Sequence, residues 1–110
     1  MTVVKINAIE VAPGRGAALE ERFAKRSGDV ERQPGFLGFE LLRPVKGDER
    51  YFVVTHWESE EAFQHWVSGE AFTRGHAQAA KDGDRATGPV SHGSSLLEFE
   101  VVETVAAPAA

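Results

Sequence analysis

The chain has 110 residues, enough for one domain that buries a core without covalent staples, and it has no cysteine, which excludes disulfides, zinc-thiolate sites, iron-sulfur clusters and thiolate catalysis. A net charge of −5 with no basic cluster argues against nucleic acid or an anionic membrane as the partner. No apolar run reaches spanning length and no leader pattern precedes the first alternating stretch, so a soluble cytoplasmic protein is expected.

Residues 3–11, VVKINAIEV, alternate as a strand, with Val3, Lys5, Asn7, Ile9 and Val11 on one face and Val4, Ile6, Ala8 and Glu10 on the other. Pro13-Gly14-Arg15-Gly16 break it, and Leu19, Phe23 and Val30 then recur at helical spacing among charges, which predicts an amphipathic helix over 17–31. Pro34-Gly35 ends that helix. FLGFELLRPV follows as a second strand, with Phe36 and Leu42 assigned to one face and Leu37, Phe39 and Leu41 to the other. Lys46-Gly47-Asp48 reads as a hairpin turn into RYFVVTHW, where Tyr51, Val53, Thr55 and Trp57 oppose Phe52, Val54 and His56. Ser59 with two glutamates after it caps the next helix. Residues 81–94 are polar and glycine-rich and read as a long loop, SLLEFEVVE is the last strand, and 105–110 form a disordered C-terminal tail beyond a single domain at 1–104.

Within 60–79 the spacing pairs Phe63 with Trp66 and Phe72 with His76. In an unbroken helix the two pairs would lie roughly 80° and about 15 Å apart. Ser68-Gly69 falls between them, and glycine weakens a helix interior by roughly 0.5–1 kcal/mol. We therefore expect a helix ending near Val67 and a second short one starting near Gly69, so that an indole and an imidazole face one cavity suited to a planar apolar ligand with a metal at its centre. Aromatics at helical spacing are also ordinary core, and spacing alone leaves both readings open. Asn7 is the second signal: an amide in mid-strand, where an apolar residue belongs, requires partners or a function. His56, His65 and His92 read as structural or surface residues, with His56 in a strand, His65 solvent-facing and His92 in the loop.

The order strand, helix, strand, strand, helix, strand is the ferredoxin-like βαββαβ arrangement of α+β folds, with both helices on one side of an antiparallel sheet. The strands are apolar on both faces, so the second face needs a cover, and a homodimer with two sheets packed face to face is expected.

The runs VVKINAIEV, PGFLGFELLRPVKG, RYFVVTHWES, AFQHW and SLLEFEVV resemble the MhuD/IsdG family of haem-degrading monooxygenases, the MhuD branch more than the IsdG branch, over nearly all of 1–103. The resemblance implies a dimeric α+β barrel of the antibiotic-biosynthesis-monooxygenase type, with haem held between helices and sheet as both cofactor and substrate. It further implies O2 activation with electrons from an external donor, an unidentified reductase, opening of the porphyrin ring and release of iron. By that resemblance Asn7 and Trp66 are catalytic and His76 is the proximal ligand of the haem iron. A neutral imidazole can ligate iron, an amide can donate a hydrogen bond without supplying a proton, and a stiff indole can hold a porphyrin out of plane. Ile9, Phe23, Val53 and Phe63 are assigned to the ligand walls because their faces point into the helix–sheet gap. Arg22 and Arg26 lie one turn apart where either could pair with a propionate, and Arg26 also matches the MhuD branch in position. The interval from Trp66 to His76 is one residue longer than in that branch and the following loop is longer, so product type and the number of haems per subunit do not carry over. The alternatives are a cofactor-independent monooxygenase that oxidises polycyclic phenols to quinones, and a haem-binding carrier that leaves its ligand intact.

Overall fold

In a computed structural model the chain is described over residues 1–25, 28–69 and 91–109, with the backbone alone at 91 and 92. The elements are β1 (Val3–Val11), α1 (Gly16–Ala24), a 3-10 turn (Asp29–Arg32), β2 (Phe36–Leu42), β3 (Tyr51–Trp57), α2 (Glu60–Val67) and β4 (Ser91–Glu100). The strands form one antiparallel sheet in the order β2-β3-β1-β4, so β1, the first strand made, is central. With α1 and α2 on one side, this is the ferredoxin-like α+β fold read from the sequence.

The register fixes which residues share the helix side. Val3, Lys5, Asn7 and Ile9 of β1 lie opposite Trp57, Thr55, Val53 and Tyr51 of β3 and opposite Glu100, Glu98, Leu96 and Ser94 of β4. Two apolar clusters seat the helices on this side. Ile9, Leu19 and Tyr51 are buried with Val11, Ala18, Phe23, Leu41 and Val53 packed around them, which anchors α1. Val3, Trp57 and Phe63 are buried with Val30, Phe36, Ala62, Trp66 and Val67 around them, which anchors α2. Trp57 is the keystone of the second cluster: it is fully buried, edge-on to Phe36 at 5.5 Å and to Phe63 at 5.9 Å, and its indole N–H donates to Thr55 at 2.9 Å.

Three local readings are corrected. A bulge between Phe36 and Gly38 shifts the phase of β2, so Phe36 joins Phe39 and Leu41 on the helix side rather than sharing a face with Leu42, and Leu37 is left 56% exposed. The helix predicted over 17–31 ends at Ala24, and Asp29–Arg32 form a separate 3-10 turn behind Gly28, whose φ of +77 no continuous α-helix over 17–31 could contain. The last strand begins at Ser91, four residues earlier than predicted, and ends at Glu100, so the backbone of His92 belongs to β4, beside the register shift opposite Glu10 and Val11, and not to a loop.

The other side of the sheet carries Val4, Ile6, Phe52, Val54, Leu42, Leu97 and Phe99, with Leu42 and Phe99 about half exposed, and His56 faces Glu40 there at 3.3 Å. Residues 101–109 form neither helix nor strand; Val101 N–H donates to the Thr2 carbonyl at 2.9 Å, and the chain is exposed from Val102 onward. Among the described residues no helix is long and apolar enough to cross a membrane.

Candidate active site

Strand alternation carries Asn7 to the helix side of the central strand, where it falls between the two apolar clusters. Across the sheet it is flanked by Val53 of β3 and Leu96 of β4, and along β1 by Lys5 and Ile9. The residue is half-buried, and its amide makes no hydrogen bond to any other described residue. A sheet interior normally pairs such a group, so an amide without a described partner stands out on the helix side of the sheet. Leu96 sits beside it on the same side and is 55% exposed, which extends an apolar surface outward over β4.

The two clusters flank Asn7 along the sheet. Ile9, Phe23 and Val53 belong to the α1 end, where the Phe23 ring also stacks on Phe39 at 6.0 Å. Phe63 and Trp66 belong to the α2 end, with Phe63 buried against Trp57 and Trp66 half-buried beside them. As the sequence predicts, α2 starts behind Ser59, whose hydroxyl accepts from Ala62 N–H at 3.2 Å, and stops at Val67. The Ser68 hydroxyl donates to the carbonyls of Gln64 and His65 and so satisfies acceptors in the final turn. Arg26, His76 and the second helix expected from Gly69 onward lie outside the described residues.

Lys5 is the residue that sequence reasoning left out. It is only 4% exposed, and its ammonium donates to Glu60 of α2 at 2.6 Å and to Glu98 of β4 at 2.7 Å while lying 4.7 Å from the centre of the Phe63 ring. Burial disfavours its charge more than any other single influence does, but the hydrogen bonds and charges of Glu60 and Glu98 together outweigh burial and hold its pKa above the ordinary lysine value. Glu60 is correspondingly pushed below the ordinary carboxylate value, by Lys5 first and then by Gln64. Parity with Asn7 already put Lys5 on the same face, but its partners are 55 and 93 residues away and leave no mark in the local pattern.

At the α1 end, Tyr51 donates to Glu20, and Arg43 grips the same carboxylate through two nitrogens, one at 2.8 Å. Those bonds, from Arg43 first and Tyr51 second, lower the Glu20 pKa to about 2. They tie α1 to β3 and to the segment after β2. The start of α1 also presses on this tyrosine, since a Cβ at Gly16 would meet the Tyr51 hydroxyl at 2.7 Å.

A half-buried amide with no described partner, on an apolar floor bounded by aromatic side chains at either end, is an arrangement that can receive a flat apolar molecule and offer it one hydrogen bond. The chain belongs to the antibiotic biosynthesis monooxygenase family, whose model matches residues 2–78. Within that family it is similar to the heme oxygenase (mycobilin-producing) of Mycobacterium tuberculosis strain ATCC 25618 / H37Rv, with 66% identity over 102 residues that cover 93% of this chain and 90% of that protein. It is also similar to the heme-degrading monooxygenase of Listeria monocytogenes strain EGD-e, 30% identical over 110 residues covering 91% of each. Among solved structures it matches the heme-degrader MhuD from M. tuberculosis with two hemes bound in its active site, at a TM-score of 0.74 and 64% identity, covering 94% of this chain and 99% of that one.

Proposed function

We propose that this protein is a haem-degrading monooxygenase that takes haem as substrate between its helices and its sheet. The observation that carries the reading within this chain is the Asn7 amide, which has no described partner, set between two apolar clusters and beside the exposed Leu96. Haem fits that surface chemically, being a broad apolar plate with a polar centre that an amide can address. Bound haem supplies an iron centre that works with O2 and electrons from an external donor, and a macrocycle that is opened with release of the iron.

The chain's own residues divide the remaining work. His76 is assigned the bond to the haem iron. Asn7 would offer its amide N–H to the polar centre of the bound haem, and because an amide is not an acid it would orient without protonating. Trp66 would press on the bound haem with its bulk. Ile9, Phe23, Val53 and Phe63 are assigned to the walls that exclude water, and Arg26 to a propionate.

The active form is assigned as a homodimer in which the open sides of two sheets cover each other, supported by the half-exposed Phe99 and Leu42 among Val4, Ile6 and Phe52. Residues 1–104 are taken as the catalytic domain and 105–110 as a disordered C-terminal tail. The cytoplasm, with its supply of reductant, is the compartment assigned, and a reductase the assigned electron source.

The direct test is titration with haemin. The parent protein is expected to give a saturable Soret band, His76→Ala to lose tight binding or later oxygen chemistry, and Asn7→Ala to bind and fail to turn over. Failure of the parent to give a saturable band would refute the reading.

A further inference from the structure

The ion pairs of Lys5 join the strand that carries Asn7 to the helix that carries Trp66. Its ammonium meets a carboxylate from the first turn of α2 and another from β4, and the aromatic ring one turn further along α2 lies over the same nitrogen. Trp66 follows Phe63 by three residues and so shares its side of the helix. An eight-residue helix moves as one rod, so whatever fixes Glu60 and Phe63 fixes the indole as well. Glu60 also accepts from Gln64 at 2.8 Å, which stiffens the carboxylate that Lys5 holds.

One cation between two carboxylates makes this contact unlike ordinary core packing. Removal of the ammonium leaves Glu60 and Glu98, both within 2.7 Å of one nitrogen and each about half exposed, without their shared counter-ion, and both can then turn outward to water. That undoes the tie between β1 and the first turn of α2, whereas β4 is still held along its length by main-chain pairing with β1. We propose that Lys5 is a positioning residue for haem degradation, holding α2 against β1 and β4 so that Trp66 stands in register with Asn7. It acts through α2 and is not assigned contact with haem. The inference rests on the function proposed above, but its first measurement does not.

That measurement is amide hydrogen exchange on the haem-free dimer, comparing the parent with Lys5→Met and Lys5→Arg. Lys5→Met is expected to lose about tenfold or more protection in α2 while β3 and α1 keep theirs, and Lys5→Arg to recover most of it. Protection that is unchanged in α2, or that falls equally through the whole sheet, overturns the proposal. The second measurement is single-turnover loss of saturating haem. A rate about tenfold lower at a haem affinity within about threefold of the parent supports positioning, whereas a parental rate, or a deficit accounted for by weaker binding, overturns it. If the parent itself does not consume haem, the functional reading fails while the exchange data still decide the role of Lys5. Should Lys5→Met not fold, Glu60→Gln serves instead, since Glu98 still compensates the cation: selective loosening of α2 supports the proposal and unchanged α2 exchange refutes it.

Discussion

Replacement of Asn7 by leucine should separate function from stability. The amide makes no hydrogen bond to another described residue, and its neighbours on the helix side are Lys5, Ile9, Val53 and Leu96. Leucine matches asparagine in branching and in number of side-chain heavy atoms but is bulkier, so it enters without a cavity, and the partial exposure of the position limits the strain. Exchanging the amide for an isopropyl group would hide on the order of 30–40 Å² more apolar surface, about 1 kcal/mol at 25 cal/mol/Å². The expected stability change is therefore zero to about 1 kcal/mol in favour of Asn7→Leu, a rise in Tm of up to about 4 °C. Loss of one preorganised donor lowers rates by about 10²- to 10³-fold elsewhere, and the same scale is expected for haem turnover here, with haem affinity changed only severalfold. Thermal unfolding of the haem-free protein and single-turnover loss of the Soret band measure the two quantities. A Tm lowered by about 8 °C or more would show that the amide holds structure, and turnover at the parental rate would remove it from the reaction.

Gly35→Ala should destabilise by about 2–4 kcal/mol in urea unfolding, because the residue sits at φ +83 and a Cβ there would lie 2.5 Å from the Ala62 side chain on α2. Glu20 should report on acid stability. Its pKa is lowered to about 2 from the ordinary 4.5, so its contribution is complete above about 4.5 and disappears as the pH falls toward 2. The Tm gap between the parent and Glu20→Gln should therefore narrow across that window, and a gap independent of pH would contradict the Arg43 and Tyr51 contacts. Phe99→Asp, on the open side of the sheet, tests the proposed dimer: sedimentation as monomer or aggregate would support an interface there, whereas an intact dimer would move the interface elsewhere.

How much of this was legible in the sequence depended on whether side-chain chemistry carried phase. In β1, strict alternation over nine residues groups Val3, Lys5, Asn7 and Ile9 on one face, and with no bulge before Glu10 that grouping is the one the strand keeps. In β2, Phe36, Leu37, Phe39, Leu41 and Leu42 are apolar at both parities, and nothing in the pattern could announce the bulge that turns Phe36 inward. The spacing of Leu19, Phe23 and Val30 runs smoothly past the end of α1, because the 3-10 turn presents Val30 to the second cluster from a separate piece of chain. β4 starts within serines and glycine since an edge strand needs only main-chain partners, which β1 provides. The Ser59 cap was visible because capping is local, and the Lys5 ion pairs were not because they join three distant segments.

The central claim is that haem enters as substrate and leaves as an opened ring. Anaerobic titration with haemin, then addition of oxygen and ascorbate with the product mass recorded, tests it most directly. The account predicts a stoichiometric Soret band that disappears on reaction, free iron, and an iron-free product containing added oxygen. A band that persists through the reaction, or haem recovered intact by mass, would contradict it.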